Sequence, residues 1–168
     1  MAFSPPSSGS TQPMRVLFLC THNSSRSQMA EGLLRARGGA AYVVFSAGTH
    51  PTEVHPLAIK AMRELGIDLS SQWSKGIDTF ADQPPMDLVV TVCDAAAEAC
   101  PVFPRARSQA QWGFPDPSRV TGSDEVRLAA FRNIRDFIAV RITQFLRLHP
   151  AQSLEQLYRA AKMQEEPA

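Results

Sequence analysis

The sequence has no long apolar run. No stretch approaches the roughly 18–20 residues that a membrane span needs, so none is expected. It also has no excess of one charge. Seventeen basic residues against sixteen acidic ones leave a formal net charge of +1. A nucleic-acid or polyanion binder normally carries a basic surplus, so neither partner is expected. Cysteine is scarce and odd in number, at three residues. That argues against a disulfide framework and for free, catalytic or redox-active thiols, or inert buried ones. No His/Cys spacing resembles a zinc site, and no internal repeat is visible. The first residues hold no basic stretch followed by an apolar one, so no secretory leader is expected and a cytoplasmic location is.

What remains is one domain's worth of chain, 168 residues and 18.4 kDa, with 44% hydrophobic and 20% charged residues. That is enough to bury a core without staples. Residues 1–13 are rich in Ser and Pro and read as a disordered tail. Residues 14–148 read as the domain, and 149–168 as a polar tail. Val16-Leu17-Phe18-Leu19 is a short, continuously apolar run of the kind found in buried parallel strands. Met29, Ala30, Leu33 and Ala36 then fall at helical spacing, and Gly38-Gly39 ends that helix. Tyr42 to Phe45 and Asp87 to Val92 read as two further strands, with a fourth, short one near Ala110 to Trp112. Ala58, Ala61, Met62 and Leu65 mark one face of a second helix, with Gly66 at its C-cap. Phe131, Ile134, Ile138, Ile142 and Phe145 mark a long helix from about Ser123 to Leu148.

Strands alternating with helices predict an α/β domain built on a four-stranded parallel sheet, with helices on both faces. Ligands of such sheets bind beyond the carboxyl ends of the strands. The first strand runs there into Cys20-Thr21-His22-Asn23-Ser24-Ser25-Arg26-Ser27, and a helix follows. A Cys and an Arg six apart are common by chance; the strand before and the helix after make the pattern specific. A short loop entering a helix N-terminus turns successive N–H groups inward and forms an anion nest. Arg26 adds a planar fork suited to a tetrahedral oxyanion. The helix dipole and Arg26 both favour a thiolate at Cys20. The Ser27 hydroxyl is placed to donate to that sulfur, and Asn23 to bond across the loop. The competing reading is a buried structural cysteine beside a surface arginine.

These residues carry a resemblance. Val16 to Cys20 and Ser27-Gln28-Met29-Ala30-Glu31-Gly32 resemble the phosphate-binding loop of the low-molecular-weight protein tyrosine phosphatase superfamily, in the form of its arsenate reductase branch. Ser46-Ala47-Gly48-Thr49 and Trp112-Gly113-Phe114-Pro115-Asp116-Pro117 are similar to that branch too, so the likeness spans about Arg15 to Leu148. It implies a phosphatase-I-like fold and an oxyanion held by Thr21, His22, Asn23, Ser24, Ser25, Arg26 and Ser27.

Cys93 follows the third strand directly, and Cys100 lies seven residues on, across helix-prone Asp94-Ala95-Ala96-Ala97-Glu98-Ala99. Seven residues of helix rise about 10.5 Å, whereas a disulfide needs Cα atoms within roughly 7 Å. A Cys93–Cys100 disulfide therefore excludes a helix there, and the segment is expected to be helical when reduced and looped when oxidised. On the residues alone, two inert buried cysteines are the favoured reading. The resemblance reverses this, because that branch carries such a pair to relay oxidation outward.

The resemblance also makes Asp116, stiffened between Pro115 and Pro117, the acid that protonates a departing oxygen. The competing reading is a turn aspartate. Some family members hold potassium through Asn, Glu, Ser and Asp. Asn23, Glu31 and Ser46 match three of these, and Lys75 stands at the fourth. An ammonium in the ion's place predicts no potassium dependence; the competing reading is a solvated lysine. Ser25 stands where many relatives carry another cysteine, and His22 where glycine is more common.

The resemblance thus implies a monomeric arsenate reductase with no metal and no bound cofactor. Cys20, Cys93 and Cys100 would relay electrons from an external thiol donor, with thioredoxin expected over a low-molecular-weight thiol and glutaredoxin. The alternative is a phosphatase working through a phosphocysteine at Cys20. Against it, the relay cysteines would idle, and Ser118 stands where such phosphatases tend to carry an aromatic residue. A third reading, a thiol-based arsenite or metal sensor, leaves Arg26 and Asp116 without a task.

Overall fold

A computed structural model describes residues 12–94 and 99–148. The regions read as N- and C-terminal tails lie outside it, apart from Gln12 and Pro13. Four strands form one parallel sheet: β1 (Met14–Cys20), β2 (Tyr42–Gly48), β3 (Met86–Thr91) and β4 (Ala106–Gln111), in the order β2-β1-β3-β4. β1 is central, and its Val16 to Leu19 are fully buried, which is why the run is apolar without alternation. β4 is an edge strand of alternating exposure and polar sequence, Ala-Arg-Ser-Gln-Ala-Gln. Apolar patterning therefore marks only its end. The strand starts at Ala106 rather than Ala110, and Trp112 lies just beyond it.

Three α-helices complete the fold: α1 (Arg26–Gly38), α2 (Pro56–Arg63) and α3 (Asp124–Leu148). They pack on each other and on the face of the sheet that carries Val16, Phe18, Val44, Leu88 and Val90. The opposite face, with Leu17, Leu19, Ala47 and Val89, is covered by Phe80 of a 3-10 helix at Ile77–Phe80 and by Phe103. Helical elements thus lie on both faces, the α-helices all on one.

One residue departs from the predicted α2 face. The helix stops at Arg63, and Leu65 is exposed while Ala58, Ala61 and Met62 are buried. The turn that closes on Gly66, at φ +73°, swings Leu65 off the apolar stripe.

The register puts the chemistry at one edge. Cys20 is level with Gly48 across β1 and β2, and Leu19 with Thr91 across β1 and β3. The Val92 amide donates to the Leu19 carbonyl at 2.8 Å, so β1 and β3 deliver Cys20 and Cys93 to the same end of the sheet.

Candidate active site

The loop from Cys20 to Arg26 is held from outside. The Thr21 carbonyl accepts from the His50 amide (2.8 Å), that of His22 from Thr52 N (3.3 Å) and Ser74 Oγ (2.9 Å), and that of Ser24 from His55 N (3.0 Å). The Asn23 carbonyl accepts from Gln28 Nε2 at 3.0 Å. In a trans peptide the N–H points opposite to the C=O. Carbonyls anchored outward therefore turn the following N–H groups toward the interior, and Asn23 N indeed donates to Cys20 Sγ at 3.1 Å. Asn23 itself has φ 48°, a left-handed conformation that asparagine tolerates better than most residues.

Asn23 is the knot of this loop. Its Oδ1 accepts from Gln28 Nε2 (2.9 Å) and from the Lys75 amide (2.9 Å). Its Nδ2 donates to Ser27 Oγ at 2.9 Å. Because Ser27 Oγ accepts there, its own hydrogen is available to Cys20 Sγ, 2.8 Å away. Gln72 Nε2 in turn fixes Gln28, donating to its Oε1 at 2.8 Å. Gly48 closes against the loop: a Cβ there would sit 2.5 Å from Thr21 O and 2.8 Å from Asn23 N. His22 is a rim residue, its Nδ1 at 3.1 Å from His50 O, and Ser25 is buried.

Arg26 is buried at the first turn of α1. Its Nη1 donates to the Phe114 carbonyl at 2.9 Å, and its Nη2 lies 3.7 Å from Asp116 Oδ2. Asp116 does two things at once. Its Oδ1 accepts from Ser118 N (2.9 Å) and Ser118 Oγ (2.7 Å), the behaviour of a turn aspartate. Its carboxylate also lines a cavity of about 150 Å³ with Cys20, His22, Ser24, Ser25, Arg26, and with Thr52, His55 and Ser118.

Behind the loop, buried Glu31 accepts from Arg35 (2.6 Å) and, through a short hydrogen bond, from Ser46 Oγ. Lys75 Nζ lies 3.7 Å from Glu31, 3.5 Å from Ser46 Oγ and 3.1 Å from the Trp73 carbonyl. Burial pushes the Lys75 ammonium below the usual lysine value, and Glu31 pulls it back up. The Lys75 side chain thus ends among three oxygens and is buried rather than solvated. Among the described residues no His/Cys/Asp/Glu cluster could hold a metal.

Cys93 and Cys100 are joined in a disulfide with Cα atoms 6.0 Å apart, while Cys20 is a free, buried thiol. Asp94 and Ala99 are not helical, in keeping with the geometric exclusion; Ala95 to Glu98, the middle of the expected helix, lie outside the described residues. Cys93 is fully buried and Cys100 half-buried, with Gln111 Nε2 at 3.9 Å from its sulfur.

Sequence reading missed Thr52, His55 and Gln72 as contributors to this site, and took Ser118 only as the place of a missing aromatic residue. Of these only His55 carried a local signal: a histidine before Pro56 at a helix start, where Ser, Thr, Asp or Asn normally caps.

A buried free thiol in an inward-facing amide loop, with an arginine fork at its helix end and a carboxylate lining the same cavity, is an arrangement chemically suited to an oxyanion. The family model for low molecular weight phosphotyrosine protein phosphatase matches residues 15–161, and the chain belongs to that family. Within it, the chain is 48% identical over 130 residues to an arsenate reductase of Halalkalibacterium halodurans, covering 77% of this chain and 93% of that one. It also superposes on the structure of an arsenate reductase in the phosphate binding state, with TM-score 0.64 and 32% identity over 79% of this chain and 96% of that one. A thioredoxin-dependent arsenate reductase of Corynebacterium glutamicum aligns with TM-score 0.61 and 28% identity, over 86% of this chain and 64% of that one.

Proposed function

We propose that this protein reduces arsenate to arsenite by a three-cysteine relay recycled by a dithiol protein of the thioredoxin class. The observation that carries the reading is the distribution of thiol states: a free Cys20 in the anion loop beside a Cys93–Cys100 disulfide at the same sheet edge. That is the state a relay leaves after one turnover.

Arsenate sits in the loop, bound by amides from Thr21 to Ser27 and by Arg26. The Cys20 thiolate forms a bond to arsenic, and one oxygen leaves, protonated by Asp116. Cys93 thiolate then attacks the Cys20 sulfur. The S–As bond breaks with its electron pair passing to arsenic, giving arsenite and a Cys20–Cys93 disulfide. Cys100 thiolate attacks Cys93 and releases Cys20, leaving the Cys93–Cys100 disulfide for the external dithiol to reduce by exchange. Electrons come from thiols throughout. Lys75 supplies the positive charge that a potassium ion supplies in some relatives.

The test is arsenate-dependent NADPH oxidation with thioredoxin and its reductase. Wild type turns over; Cys20→Ser, Cys93→Ser and Cys100→Ser each lose at least about 10³-fold, and exchanging choline for potassium leaves the wild-type rate unchanged. Turnover surviving in Cys100→Ser assigns the last step to another thiol. No turnover, with hydrolysis of an aryl phosphate that depends on Cys20 alone, replaces the reading by a phosphatase.

A further inference from the structure

His55 occupies an unusual place. Its backbone amide holds the Ser24 carbonyl at 3.0 Å, and its ring lies on Phe131 with centroids 4.6 Å apart. Its Nδ1 accepts from the Leu57 amide at 3.1 Å and so caps α2. The same residue lines both the 150 Å³ cavity that Cys20 also lines and a groove of about 380 Å³ bordered by Lys60, Glu125 and Arg127.

The cap decides the tautomer. An Nδ1 that accepts a hydrogen bond carries no proton, so in the neutral ring the proton is on Nε2. Protonating Nδ1 would set its N–H against the Leu57 N–H. Burial and Arg127 also hold His55 below the usual histidine value, against the opposing pull of Asp116 and Glu53. Nε2 has no hydrogen-bond partner among the described residues. A ring that caps with one nitrogen, lines an anion cavity and leaves its other N–H unused is a donor in search of an acceptor.

We propose that His55 is a substrate-contacting residue, its Nε2–H donating to an oxygen of the tetrahedral oxyanion bound over Cys20. This rests on the oxyanion reading above and adds a donor on the α2 side, supplied by a side chain outside the Cys20 loop. Arg26 and the loop amides grip the anion between β1 and α1; His55 reaches it from the start of α2, in the cavity that Asp116 also lines.

His55→Asn separates the two duties, because the asparagine oxygen still caps Leu57 N–H while the Nε2 donor is gone. The full chain is used with its Cys93–Cys100 disulfide intact, so that no turnover intervenes, and inorganic phosphate and arsenate are titrated calorimetrically. Both bind roughly tenfold more weakly to His55→Asn, the effect expected of one hydrogen bond to a charged group, while the lost ring contact with Phe131 lowers the melting temperature and is read separately by thermal unfolding. In wild type, the nitrogen-15 resonance of His55 Nε2 shifts as phosphate is added. That second measurement stands even if the variant folds poorly. Affinity within about twofold of wild type, or an Nε2 resonance that ignores phosphate, overturns the proposal and leaves the oxyanion reading standing. Wild type that binds neither anion overturns both.

Discussion

The Cys20 loop and the Cys93–Cys100 segment leave neighbouring strands at the same sheet edge, and they are held in different ways. Around Cys20 the carbonyls of Thr21, His22, Asn23 and Ser24 are all anchored outward, and Asn23, Ser27, Gln28 and Gln72 interlock through side chains. No single bond carries this geometry. Around Cys93 and Cys100 the defining link is one covalent bond. It runs from a fully buried sulfur-bearing residue to a half-buried one. The first region is built to keep one shape; the second can be switched by making or breaking a bond. The relay proposed above needs both: a rigid place for the oxyanion, and a pair that carries oxidation outward.

The sharpest way to break the comparison is at Gly48. An alanine there meets two backbone atoms of the loop, Thr21 O and Asn23 N, neither of which is a flexible side chain. Gly48→Ala is expected to cost about 1–3 kcal/mol of stability and to abolish oxyanion binding, measured by thermal unfolding and phosphate titration. Unchanged binding would show that the loop tolerates a shift at its outer wall.

A smaller effect is expected on reducing the disulfide. Helix forms over Asp94 to Ala99, raising amide protection there and helical ellipticity, while protection in the Cys20 loop stays as it was. Hydrogen exchange and circular dichroism on both redox forms read this directly. Unchanged protection from Asp94 to Ala99 defeats the switch.

The smallest effect lies away from both regions. Glu64 closes the end of α2 onto α3, accepting from Arg132 Nη2 (2.7 Å) and Arg135 Nη1 (3.0 Å). The hydrogen bond from Arg132 first, and then that from Arg135, lower its carboxyl from 4.5 to about 2. A carboxylate depressed on folding stabilises above its unfolded value and loses that contribution as pH falls through its folded one. Glu64→Gln therefore melts slightly below wild type at neutral pH, and the gap closes between pH 4.5 and about 2. A gap independent of pH would assign it to packing.

The central strand and the Cys20 loop that follows it were legible because their signals are local. Val16 to Leu19 is apolar at every position, and the loop follows with no intervening residue. β4 was only partly legible, since an edge strand needs no apolar pattern. Leu65 fitted the helical period but fell past the helix end, because periodicity does not report where a turn closes. His55 was missed because its role depends on Phe131 and Asp116, which sit on remote segments.

By itself the sequence determined the strand–loop–helix unit and the incompatibility of a helix with the Cys93–Cys100 disulfide, because both depend on spacing along one short segment. Only the tertiary structure decided what meets that unit. Arg26 reaches the Phe114 carbonyl 88 residues away, the Lys75 amide reaches Asn23 across 52, and His55 lines the same cavity as Asp116. Those contacts are set by strand order, register and helix packing, which no local pattern encodes.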